Sequence, residues 1–155
     1  MKHKLYLAAA TAALLFSQGA YAKSSECPDP ANARADVEKT ISQFFDALRG
    51  EGDISFESLT TANMYSFDVG QRFDGSALVD VIEEALAQGV EINWSLGPMD
   101  TKVRCDVAWS QWVNTGSAGT PPDVRPVSWF ESAVLVHHDG RWKIDFFHSQ
   151  RAAEN

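Results

Sequence analysis

Cysteine is scarce in this chain, with only Cys27 and Cys105 among 155 residues. That count rules out the paired-cysteine zinc patterns, and neither a Gly-rich phosphate-cradling loop nor a Gly-x-Ser-x-Gly nucleophile elbow occurs. Positive charge is short as well: 13 Lys and Arg stand against 21 Asp and Glu, a formal net charge of −8. A field of that sign argues against nucleic acid and against anionic membrane surfaces, because both need clustered cations. Long apolar runs are confined to residues 5–16, shorter than the roughly 20 residues of a membrane span. No residue pattern calls for a cofactor or a metal. His137-His138-Asp139 comes nearest, but neighbours on a strand point to opposite faces, so an exposed hairpin end is expected there.

What is present begins with an export signal. Lys2 and Lys4 precede the apolar run, and Ala20-Tyr21-Ala22 follows it with a small-x-small cleavage pattern. Residues 1–22 therefore read as a signal peptide cleaved before Lys23, the alternative being an uncleaved anchor. Losing Lys2 and Lys4 takes the net charge from −8 to −10. The destination is periplasmic or secreted, with no membrane attachment after cleavage. In such an oxidising compartment Cys27 and Cys105 are expected to form a disulfide; the alternative is two unpaired thiols.

Residues 23–35, with Pro28 and Pro30, read as an extended leader, and residues 36–151 as one domain. Val37, Ile41, Phe44, Phe45 and Leu48 recur at helical spacing, with Gly50 as the stop. Tyr65, Phe67 and Val69 alternate as a short strand ahead of Asp74-Gly75. Leu78, Val79, Ile82, Ala85 and Leu86 mark a second helix ending at Gly89. The period then changes to two. Val90, Ile92, Trp94 and Leu96 share one strand face. Residues 102–113 are expected to be a single strand with Val103, Cys105, Val107 and Trp109 on one face, and residues 114–126 a loop. Residues 127–138 and 141–150 form a hairpin about Asp139-Gly140, a strong turn signal. Helices gathered before an antiparallel meander make an α+β domain: a curved sheet wrapped around two or three helices, a cone with a hollow at its wide end.

Candidate site residues follow from strand alternation. If Trp142, Ile144 and Phe146 face inward, His148 does too, where an imidazole could move a proton or hold a ligand. Glu131 shares the phase of Trp129, Ala133 and Leu135, and a charge on an apolar face points to a pocket mouth or a buried pair. Tyr65 could donate its hydroxyl into the same hollow. Trp94, Trp109, Trp129 and Phe146 are the expected walls. Asp68, Asp106 and Asp145 fall on opposite phases and are expected in solvent or in cross-strand pairs. Trp112 and Phe130 are expected to point outward.

The segments Tyr65-Ser66-Phe67 to Asp74-Gly75, Trp129-Phe130-Glu131-Ser132-Ala133-Val134-Leu135, and Asp139-Gly140-Arg141-Trp142-Lys143-Ile144 with Phe146-Phe147-His148-Ser149 resemble the nuclear transport factor 2-like superfamily. The last two resemble its SnoaL-like branch. That resemblance implies a cone-shaped fold with a deep apolar pocket and a homodimer through the outer sheet face. The family hosts isomerases, dehydratases, cyclases, epoxide hydrolases and binding or scaffold domains. Three readings are therefore open: a binder of a small apolar molecule, an acid–base enzyme using the same pocket, and a dimeric interaction module with an inert cavity.

Overall fold

The computed structural model describes residues 27–153, so the expected signal peptide lies outside the described residues. Helix α1 (Pro30–Leu48) is followed by the single turn α2 (Phe56–Leu59), strands β1 (Thr60–Asp68) and β2 (Gln71–Asp74), and helix α3 (Ala77–Ala87). Strands β3 (Glu91–Leu96), β4 (Asp100–Arg104), β5 (Val107–Gly119), β6 (Arg125–His138) and β7 (Arg141–Arg151) complete the chain. One seven-stranded sheet runs β2-β1-β7-β6-β5-β3, with β4 also on β5. All pairings are antiparallel except β1 with β7, so the sheet is mixed rather than a pure meander.

Helix α1 starts earlier than its apolar period. The segment expected to be extended is helical from Pro30, because Asp29 caps the end by accepting from the Ala31 N–H at 3.0 Å and proline fits the first turn. Val37, Ile41, Phe44, Phe45 and Leu48 are buried, as their spacing predicts. They pack on the inner sheet face: Phe44 meets Phe147, and Phe45 meets Trp94, Trp112 and Phe147.

Two readings of the sheet fail, and each failure has a local cause. Residues 102–113 are not one strand: Cys105 adopts φ 51°, and the chain reverses between Arg104 and Val107. The alternation restarts after that turn, so Ala108, Ser110, Trp112 and Asn114 face inward and Trp109 faces out. Much of the expected 114–126 loop is strand as well, with Thr115 paired to Ser128 and Ala118 to Arg125.

In β7 the register slips where Val134 pairs with Phe146 but Leu135 with Ile144, leaving Asp145 as an extra residue. Thr61 Oγ1 donates to Asp145 Oδ1 at 2.6 Å and fixes that bulge. Trp142 and Ile144 face inward before it, and Phe147 and Ser149 after it. On β1 the inward residues are Met64 and Ser66, which turns Tyr65 outward. Trp109, Val134, Phe146 and Tyr65 therefore form one cross-strand row on the outer face. The Arg72 guanidinium lies 4.0 Å from the Tyr65 ring centroid at its end.

A pair of truncations tests the bulge. Phe147→Ala should cost about 3–5 kcal/mol, the range for a fully buried phenylalanine, and Phe146→Ala clearly less. Urea melts giving the reverse order would show that the alternation runs unbroken through Asp145.

Candidate functional site

The wide end of the cone holds a cavity of about 220 Å³ between the inner sheet face, the C-terminal turns of α1, and α3. Phe45, Phe73, Trp94, Trp129 and Phe147 supply aromatic walls, and Leu78, Val81, Ile82 and Ala85 of α3 close it from above. Among the described residues its titratable lining groups are two carboxyls, Asp68 and Glu131, with no Lys, Arg or His in the lining.

Glu131 is buried at 5% exposure in the middle of β6. Its register partners are Trp112 on β5 and Ser149 on β7, so three strands bring their polar atoms to one point. Trp112 Nε1 donates to Glu131 Oε2 at 2.6 Å, and Ser149 Oγ donates to Oε1 at 3.3 Å. Asn114 lies alongside and favours the ionised form, although its buried Nδ2 makes no hydrogen bond. Its Oδ1 accepts from the Ser95 N–H at 3.0 Å. Burial outweighs these donors and lifts the Glu131 pKa from 4.5 to about 7, with the nearby Asp68 charge adding to the rise.

Asp68 follows Phe67, the register partner of His148, and its inward phase continues that of Met64 and Ser66. Burial raises its pKa too, against the Val69 N–H, which donates to Oδ1 at 2.7 Å, and the field of His148. The expectation of a solvent-facing Asp68 is thus overturned, for the same reason that Tyr65 is turned outward.

The expected site residues divide accordingly. Glu131, Trp94 and Trp129 line the cavity. Tyr65, Trp109 and Phe146 do not, since they form the outer row. His148 also sits outside, because the Asp145 bulge reverses its phase. It lines an adjoining groove that shares Asp68, Trp129 and Ser149 with the cavity, so it stands just beyond the rim. Trp112, expected outside, is the inner residue that holds Glu131. Asp68 and Trp112 carry their signal in the alternation, which places them one residue out of phase unless the breaks at Cys105 and within β1 are known. Phe130 is outward as expected, at 57% exposure.

Cys27 and Cys105 form a disulfide. Its anchor is the β4–β5 turn rather than the interior of a strand over residues 102–113. His138 and Asp139 occupy the exposed β6–β7 turn, and no cluster of potential metal ligands occurs among the described residues.

No protein-family model matches the chain, and no curated protein does at a significant level. Solved structures do match. A ketosteroid isomerase-like protein from Erwinia carotovora atroseptica superposes with TM-score 0.63 at 16% identity, covering 78% of this chain and 97% of that one. A nuclear transport factor 2-like protein of unknown function from Pseudomonas putida gives TM-score 0.63 at 17% identity, covering 80% and 89%. The CaMKII hub of S. rosetta gives TM-score 0.64 at 17% identity, covering 80% and 100%. These neighbours agree with the likeness seen in the strand and turn segments, and together they establish that the chain has the nuclear transport factor 2-like α+β fold.

Proposed function

We propose that this protein binds a small, largely apolar molecule in the cavity at the wide end of the cone, with Glu131 and Asp68 holding its polar end. The observation that carries the reading is Glu131 itself. A carboxyl kept buried on an apolar wall costs stability, and it lines a cavity large enough for a ligand. A dry cavity of about 150 Å³ accommodates benzene, so about 220 Å³ suits one ring with a short substituent. The Cys27–Cys105 disulfide supports an oxidising compartment, and with it the signal-peptide reading of residues 1–22 and a periplasmic or secreted location.

A second reading, an acid–base enzyme, rests on the same pair. A group with a pKa of about 7 is matched to proton transfer near neutral pH, and Asp68 is a second carboxyl on the same wall. An isomerase, cyclase or hydrolase would use Glu131 and Asp68 in place of the expected Glu131, His148 and Tyr65. The interaction reading keeps Phe130 and loses Trp112, and Val113, the exposed cross-strand partner of Phe130, takes its place as the centre of a homodimer patch. Structural neighbours that include a CaMKII hub are compatible with that arrangement.

Native mass spectrometry of the mature protein from its own producing cells tests all three. A bound molecule of small mass, lost on unfolding, is the expected result. Deuterium entering that molecule in heavy water, and failing to enter with Glu131→Gln, would add catalysis; a twofold protein mass would add the dimer. A ligand-free protein that also takes up no small aromatic compound would overturn the binding reading.

A further inference from the structure

The cavity's polar groups are unbalanced in a way that its ligand must answer. Both titratable groups in the lining are acids. The elements packed around them bring no compensating base: α3 contributes Leu78, Val81, Ile82 and Ala85, β2 contributes Phe73, and β3 contributes Ile92 and Trp94. The neighbours of Glu131 on β5 and β7 are the neutral Trp112, Asn114 and Ser149. His148 acts on Asp68 from beyond the rim. Among the described residues, Arg49 at the end of α1 is held by Asp46 at 2.6 Å and Glu51 at 2.9 Å, and Arg151 lines the adjoining groove with His148, outside the cavity lining.

The walls point the same way. Five aromatic rings surround the space, and ring faces attract cations, most strongly when water is excluded. Trp94 already does so, with the Arg49 guanidinium 5.7 Å from its ring centroid. A neutral ligand would leave the two carboxyls without a counter-charge inside the cavity, whereas a cation would supply one. The surplus of acidic residues over the whole chain would draw such a ligand in.

We propose that the ligand of this cavity is a small apolar organic cation, an amine or quaternary ammonium compound, with its charge between Asp68 and Glu131 and its hydrocarbon part against the aromatic walls. This rests on the cavity being a binding site, as proposed above, and fixes the chemical class of what it binds. Binding is then linked to protons. A cation favours the ionised form of Glu131, so affinity falls as pH drops through about 7, while a neutral ligand of the same shape shows no such fall.

The experiment compares 2-phenylethylamine with its near-isostere 2-phenylethanol by NMR titration of the mature, disulfide-bonded protein at pH 8 and pH 5.5. The amine should bind at least tenfold more tightly at pH 8, with that advantage shrinking several-fold at pH 5.5. Glu131→Gln, which keeps an acceptor for Trp112 Nε1, should remove most of the advantage and most of its pH dependence. Asp68→Asn, at the rim, should reduce the advantage independently. Equal binding of amine and alcohol would overturn the cationic class and leave the cavity reading intact. Binding of neither would overturn both. An amine preference that survives in both variants would show that the charge is recognised elsewhere, and would overturn the proposal as well.

Discussion

At pH 8, Glu131→Gln should make the fold more stable, by about 1–3 kcal/mol. The sign follows from the direction of the pKa change. The Glu131 carboxyl titrates at about 7 in the folded protein against 4.5 as the ordinary value. Between those values the folded state holds a proton that the unfolded chain has released, so stability falls as pH rises. The stabilising contribution is complete below about 4.5 and lost as pH rises through 7. The total is on the order of 3 kcal/mol, at 1.36 kcal/mol for each pH unit between the two values. Glutamine cannot ionise and escapes that cost. It returns part of the gain because its amide nitrogen needs an acceptor beside Asn114 Nδ2, which already lacks one.

Urea melts of wild type and Glu131→Gln at pH 5, 6.5 and 8 check this. The difference between the two proteins isolates Glu131 from every other titrating group. It should be near zero or reversed at pH 5 and favour the variant at pH 8. Asp68→Asn should shift in the same direction, since burial raises that carboxyl too. A difference that does not change with pH would mean that Glu131 ionises as freely in the folded state as in the unfolded chain, at no cost to the fold. A residue that lowers stability at neutral pH and lines a cavity is what a binding site leaves behind when function outweighs stability.

The cores of the two long helices and the β6–β7 hairpin were legible because apolar spacing and Asp139-Gly140 carry them, whereas β2 and the division of β4 from β5 were not. Leu78 and Ile82 are buried as α3 requires, and the α1 stripe from Val37 to Leu48 is complete. The phase of three strands was not legible, and phase decides which side chain reaches the cavity. A period of two has no memory across an inserted residue, so one bulge or turn reverses everything after it. Asp145 did this to His148 and Phe146, and the Cys105 turn did it to Trp109 and Trp112. On β1 both faces carry large apolar residues, Met64 inside and Tyr65 and Phe67 outside, so hydrophobicity alone could not choose between them. Glu131 was legible because β6 runs without a break through Trp129, Ala133 and Leu135 on one face. Its partners are only visible once the register is known.

Removing the disulfide should cost about 4–5 kcal/mol of stability and leave ligand binding below the melting transition unchanged. Cys27 and Cys105 are 78 residues apart in sequence, and closing a loop of that length restricts the unfolded chain by about 4.5 kcal/mol in the chain-entropy account. The loop encloses α1, α2, β1, β2, α3, β3 and β4, so the bridge ties the start of α1 to the turn that opens β5. The bridge lies before the first turn of α1, while Phe45 and Leu48 at the cavity lie in its last turn. A helix of 19 residues is about 28 Å long, so the two ends act separately. Cys105 adds a second handle. Its φ of 51° suits glycine, so the pair Cys27→Ser with Cys105→Gly should recover roughly 1 kcal/mol over Cys27→Ser with Cys105→Ser. Thermal melts with and without reductant, beside the two double variants, read both effects. Equal melting temperatures would show that the bridge restrains nothing in the folding equilibrium. A loss of probe binding in the reduced, still-folded protein would show instead that α1 carries the constraint from its N-terminal bridge to the cavity.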